Sequence, residues 1–225
     1  DGDHRYRHSG PTRRSSELLC IAVLLLLAVA TGNDYLFKGL RASYLHGTTS
    51  ASIDDAQFFD THPIPAAGNV WQWPLHPSYM QKPLSEPLDK VLRQTESVAF
   101  LVIKNASIIT EHYWDGYSDS SQSNSFSIAK SITTMLTQVA IQKGILQGWN
   151  QKVNTLLPEL KGAHATDLEL WHLSTMSSGL DWNEAYTNPF CVTAKAYYGD
   201  DVSKLMLSLP IKDEPGKVNN YQSGS

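Results

Sequence analysis

Ser127 and Lys130 stand three residues apart at the head of a strongly helical stretch. Residues three apart on a helix share a face, so the lysine amine can reach the serine hydroxyl. A serine hydroxyl is a weak nucleophile until a base takes its proton, and a lysine in a low-dielectric pocket near other cations gives up its own proton more readily. The N-terminus of a helix adds positive potential beneath an oxyanion forming there. The same four residues also spell an N-cap serine followed by a solvated lysine. Tyr221, after the turn at Pro215-Gly216, carries a phenol that can exchange protons or simply pack in a core.

The elements that must position these residues are legible in part. Ile128, Ile132, Met135, Leu136, Val139 and Ala140 follow helical spacing, which predicts a helix over Ser127 to Lys143 stopped by Gly144. Upstream, Leu84 to Gln94 reads as a short amphipathic helix. Ser97 to Lys104 is apolar at every position from Val98 to Ile103, as for a strand buried on both sides. Asn105-Ala106 makes a turn, and Ser107 to Trp114 returns as a second strand, so a β-hairpin is expected. Beyond the long helix come a segment Val153 to Leu160, a helix near Asp167 to Met176 ended by Gly179, and a helix near Asp201 to Leu209 ended by Pro210. An antiparallel hairpin followed by helices is an α+β order.

Motifs recur along this frame in a fixed sequence: Phe126-Ser127-Ile128-Ala129-Lys130-Ser131, Gly144-Ile145-Leu146, Leu156-Leu157-Pro158-Glu159, His172 through Trp182, Glu214-Pro215-Gly216 and Tyr221-Gln222-Ser223. From about Ser97 to Ser223 the chain resembles the serine β-lactamase and penicillin-binding-protein superfamily. More narrowly it resembles the class C β-lactamase-related serine hydrolases, the branch with esterases, D-aminopeptidase-like enzymes and 6-aminohexanoate-dimer hydrolases. The resemblance implies a β-lactamase/transpeptidase-like α+β fold, with Ser127 as the acylated nucleophile, Lys130 as its base partner and Tyr221 sharing proton transfer. Ser223 falls at a substrate-binding position where many members carry Asn, and Ser177-Ser178-Gly179 belongs to the fold signature. The implied activity is hydrolysis of an amide or ester: a β-lactam, a D-amino-acid peptide, an ester or a linear amide. Neither metal nor organic cofactor is needed. The alternative on the same fold is a membrane-tethered domain that binds penicillin or a cell-wall peptide with little turnover. The family's third motif, Lys or His followed by x-Gly on a strand that supplies half the oxyanion hole, is expected beyond Tyr221 and outside these residues. The chain therefore reads as the N-terminal part of a longer hydrolase, with the C-terminal strands missing and little activity by itself.

Arg5, Arg7, Arg13 and Arg14 precede an apolar run from Leu18 to Ala30. Those thirteen residues span about 20 Å as a helix, short of the ~30 Å bilayer core, so the run suits a signal segment, with Ala28-Val29-Ala30 as the small-residue cleavage pattern. A retained anchor extended by Tyr35, Leu36 and Phe37 is the competing reading. Either implies export to the periplasmic or extracellular face. The expected organisation is a basic tail over residues 1–16, a signal peptide or anchor over 17–32, an extended arm over 33–81 and the hydrolase domain over 82–225.

Composition agrees with a globular domain carrying an appendage. The chain has 225 residues, 41% hydrophobic and 18% charged, which excludes collagen, coiled coils and wholesale disorder. A net charge of −4, with no basic cluster past the N-terminus, gives no footprint for nucleic acid. Cys20 and Cys191 are the only two cysteines, and among eight scattered histidines only His4 and His8 have helical ligand spacing, so no metal site is expected.

Overall fold

The structure, a computed structural model, describes residues 11–48, 51–66, 68–185 and 188–225; Arg5, Arg7 and the His4/His8 pair lie outside them. Among the described residues helices dominate, with one antiparallel pair of strands, so the architecture is α+β as expected. The chain divides into two compact units. One comprises the residues up to Phe58 together with Ser125–Ser225; the other is Phe59–Asn124.

The smaller unit is built on the hairpin. Helix α3 (Glu86–Gln94) has Pro87 and the acidic Glu86 and Asp89 in its first turn and Arg93 in its last, each suited to the helix dipole. Strands β1 (Ala99–Lys104) and β2 (Ser107–Tyr113) pair antiparallel, with an irregular register between Val102 and Ile103. Asn105 and Ala106 both have positive φ, 49° and 58°, the left-handed pair of a two-residue hairpin turn. Asparagine tolerates that conformation; alanine does so at a cost of about 1 kcal/mol. Glu111 accepts hydrogen bonds from the Tyr79 and Tyr113 hydroxyls at 2.5 and 3.0 Å, which ties the preceding segment to β2. Backbone bonds from Ile108 to Pro74 and from His76 to Ile108 extend the tie. The expectation that β1 is buried on both faces is corrected: all its residues but Phe100 are exposed. Its apolar pattern forms the strand, but among the described residues nothing is layered over either face.

The larger unit holds the core. Val153, Ala165, Leu168, Leu180 and Ile211 are buried together, with Leu160, Leu170, Leu173, Trp182, Met206 and Leu209 packed around them. Removing a Leu or Ile side chain from water contributes about 1.5–3 kcal/mol, so this cluster, drawn from segments far apart in sequence, is what holds the unit closed. Gly179 and Gly162 sit where the chain has no room for a side chain. A Cβ on Gly179, at φ +70°, would lie 2.1 Å from the Asp213 carbonyl oxygen, and one on Gly162 would lie 2.3 Å from that of Ile211.

Four further helices belong to this unit: α4 (Ile128–Gln142), α5 (Leu170–Ser174), α6 (Val192–Tyr198) and α7 (Val202–Ser208). Gly144, at φ +71°, terminates α4 as predicted. The apolar face of α4 is open, however, with Ile128, Ile132, Met135, Leu136 and Val139 all exposed. Asp201 caps α7 through a 2.8 Å bond from the Lys204 N–H. Glu169 and His172 form a reciprocal capping box on α5.

Two helices precede the core in sequence, α1 (Pro11–Ala30) and α2 (Tyr35–Ala42). Among the described residues no single helix is long and apolar enough to cross a membrane; a bent pair, Ser16–Ala30 with Tyr35–His46, passes by length and composition. The reading of residues 33–81 as an extended arm is corrected at its start, because α2 buries Tyr35, Gly39 and Ala42. A Cβ on Gly39 would meet the Tyr198 ring at 3.1 Å, so the lack of a side chain there lets α6 approach.

Candidate active site

Ser127 occupies the N-cap position of α4 but does not cap it. Its φ and ψ are already helical, −67° and −10°, and its side chain makes no bond to the helix N–H groups. Instead the Lys130 Nζ donates to Ser127 Oγ at 3.1 Å. The two groups thus stand at a distance suited to proton transfer in either direction. One residue earlier, Phe126 has φ +44°, a left-handed conformation that is rare for a bulky residue and costs on the order of 1–3 kcal/mol. The Phe126 ring stacks on Tyr197 of α6, with centroids 6.4 Å apart and planes within 10°. The Tyr197 hydroxyl in turn donates to Asp55 at 3.3 Å, and buried Asp55 also accepts the Ser52 N–H. This chain of contacts fixes the strained backbone that presents Ser127.

Tyr221 is brought to the same place from the far end of the chain. Its ring lies under Lys130, with Nζ 5.4 Å from the centroid, so the amino group of the pair meets an aromatic face. The segment bearing it runs beside residues 175–184. The Asn220 N–H donates to the Met176 carbonyl at 2.7 Å, the Gly216 N–H to Ser177 at 2.8 Å, and the Asn219 side chain to Thr175 at 2.6 Å. Ser178, 1% exposed, bonds to Gln222 and Ser225, which explains what Ser177-Ser178-Gly179 does in the fold. Gly216 has φ +82° and sits against His172, whose Nε2 would lie 2.9 Å from a Cβ there. Burial lowers the His172 pKa, opposed by Glu169; Lys152 and Trp171 bonds lower that of Glu169.

Ser223 sits differently. It is exposed, as is Tyr221, while Gln222 between them is buried. Its hydroxyl donates to Glu184 Oε1 at 2.6 Å and its N–H to Glu184 Oε2 at 3.0 Å. Ser127, Lys130 and Tyr221 therefore converge, and Ser223 bonds elsewhere. Glu184 escaped the sequence reading because its partner lies 39 residues away and no local spacing links them. Among the described residues no group of three or more His, Cys, Asp or Glu side chains is placed to hold a metal ion.

A serine in contact with a lysine at a helix start, with a tyrosine over the lysine, is a constellation for acyl transfer. The family model described as Beta-lactamase matches residues 86–225, well over half of the chain and all three of these residues. The chain belongs to the beta-lactamase family. Within that family it is similar to the 6-aminohexanoate-dimer hydrolase of Paenarthrobacter ureafaciens, 26% identical over 102 residues, which is 45% of this chain and 26% of that protein. Its fold is similar to that of a solved structure from Bacillus anthracis, provisionally named a 6-aminohexanoate-dimer hydrolase. There the TM-score is 0.55 at 20% identity, over 69% of this chain and 46% of the other. The chain thus spans only about a quarter to a half of the length of these beta-lactamase-family relatives where it matches them.

Proposed function

We propose that the protein is an exported serine hydrolase of the beta-lactamase family that cleaves an amide or ester through an acyl-enzyme on Ser127. The observation that carries this reading is the Lys130 Nζ to Ser127 Oγ contact at 3.1 Å, made by a serine that does not cap its own helix. In the reaction the Lys130 amine takes the Ser127 proton as Oγ bonds to the substrate carbonyl carbon, and the carbonyl oxygen becomes an oxyanion over the N-terminus of α4. The oxyanion collapses, the bond to the leaving nitrogen or oxygen breaks, and the proton passes from Lys130 to that atom with the Tyr221 hydroxyl assisting. Water, deprotonated by the same amine, then attacks the ester carbon and releases the acid and Ser127. Ser223, exposed as Tyr221 is, orients the substrate. The names of the relatives favour a linear amide as substrate. Export rests on the arginines before the apolar run from Leu18 to Ala30, with residues 17–32 as signal or anchor.

The test is intact-mass analysis of the full-length protein after treatment with an activated ester and with labelled penicillin. A mass increase equal to the acyl group, absent in Ser127→Ala, is the expected result. No adduct with either reagent, or one that survives the substitution, overturns the reading. An adduct that persists for hours would favour the binding domain with little turnover.

A further inference from the structure

Phe126 presents Ser127 from a strained backbone, and the contacts that hold it reach far back in the chain. Its φ is +44°, a conformation that a bulky residue keeps only where its neighbours over-determine it. Its carbonyl accepts the Ala129 N–H at 3.1 Å, so the same residue opens the helix that carries Ser127 and Lys130. Relaxing that φ would swing the Ser127 hydroxyl out of its present direction. The Phe126 side chain is 45% exposed, so burial does not clamp it. Tyr197 lies face to face with the ring at 6.4 Å, and the Tyr197 hydroxyl donates to Asp55 Oδ2 at 3.3 Å. Asp55 is 3% exposed and begins the short 3₁₀ turn Asp55–Phe58, where the Ser52 N–H donates to the same oxygen at 2.9 Å. Helix α2 seats this segment beside α6, with the Tyr35 hydroxyl donating to the Pro189 carbonyl at 3.0 Å and Gly39 against the Tyr198 ring.

We infer that Asp55 is a positioning residue for acylation: acting through Tyr197 and Phe126, it holds the Ser127 hydroxyl in its attacking direction. Asp55 and all of α2 precede residues 86–225, which match the family, so the support of the nucleophile extends outside the family's domain. This role rests on the acyl-transfer reading of Ser127. Its effect is that of aim, and misplacing a reacting group by about 1 Å costs up to ~10²-fold in rate.

Stopped-flow acylation of the full-length protein by an activated ester, followed to saturation, separates the acylation rate constant, the half-saturating ester concentration and the fraction of molecules acylated. Tyr197→Phe keeps the stacked ring and removes the hydroxyl that Asp55 holds. It and Asp55→Ala should each lower the rate constant on the order of tenfold, with the half-saturating concentration and the acylated fraction unchanged. Together they should lower it no further than either does alone, because they break one contact. Phe126→Gly takes up a positive φ without strain and has no ring to hold, so in that background neither substitution should alter the rate constant. Tyr197→Phe, which deletes one oxygen from a half-buried side chain, decides the matter even where Asp55→Ala fails to fold. An unaltered rate constant, a loss confined to the acylated fraction, or losses that persist in Phe126→Gly would overturn the inference while Ser127 still acylates. Absence of any adduct on Ser127 in the unsubstituted protein would instead overturn the acyl-transfer reading, and this role with it.

Discussion

Lys130 reaches Ser127 across one turn of α4, Nζ to Oγ at 3.1 Å, although the usual use of a serine at a helix start is to bond the helix's own N–H groups. A capping bond to a neutral serine contributes about 1 kcal/mol to stability, and here it is forgone. Such a choice is expected where the hydroxyl must stay available to a base.

Lys130 should therefore be dispensable for folding and indispensable for acylation. Lys130→Met removes the amine while keeping the length of the side chain, and on the proposed mechanism the rate of adduct formation on Ser127 should fall on the order of 10²–10⁴-fold. The thermal midpoint should stay close to that of the unsubstituted protein. Stopped-flow acylation and a melting curve on the same sample check both halves.

Gly179→Ala tests the packing that carries Tyr221. The new Cβ would lie 2.1 Å from a backbone carbonyl at a position with φ +70°, and a carbonyl fixed in the core cannot swing aside as a side-chain tip could. Destabilisation of at least about 2 kcal/mol is expected. Chemical denaturation followed by tryptophan fluorescence measures it.

The pH dependence of stability should show two windows. Burial lowers the folded-state pKa of His172, so the folded protein prefers the neutral ring. The stability tied to that preference is complete above the unfolded value of about 6.5 and is lost as pH falls through the lower folded value. Glu169 is also lowered, by its bonds to Lys152 and Trp171, and its contribution disappears only in more acidic solution, below the ordinary carboxylate range. Denaturation midpoints measured against pH should fall in both windows, and His172→Gln should flatten the first alone.

The α+β order, the hairpin with its Asn105-Ala106 turn, and α4 with its Gly144 stop were all legible because each is written in local spacing. Ser127 and Lys130 were legible for the same reason. Helix α6 was not, since it has seven residues and its N-cap is Cys191, whose Sγ accepts the Ala194 N–H in place of an oxygen. Helix α2 was missed because eight residues give too few turns to show a period, and its burial depends on Gly39 meeting Tyr198. Glu184 was invisible because hydrogen bonds between distant segments leave no mark on either one. The apolar pattern of β1 was read correctly as apolar and wrongly as buried on both sides, since a pattern states what a face would bury and not what meets it.

The Ser127–Lys130 contact closes over three residues, whereas Tyr221 must travel back over ninety-one to reach the same lysine. Local contacts of a helix form in microseconds or less, and long loops close only when the packing they bring together repays the lost chain entropy. A nascent or partly unfolded chain thus carries the Ser127–Lys130 contact long before it carries the tyrosine. The three side chains stand together only once the backbone bonds from Asn220 to Met176 and from Gly216 to Ser177 have closed, so their meeting reports on assembly of the core.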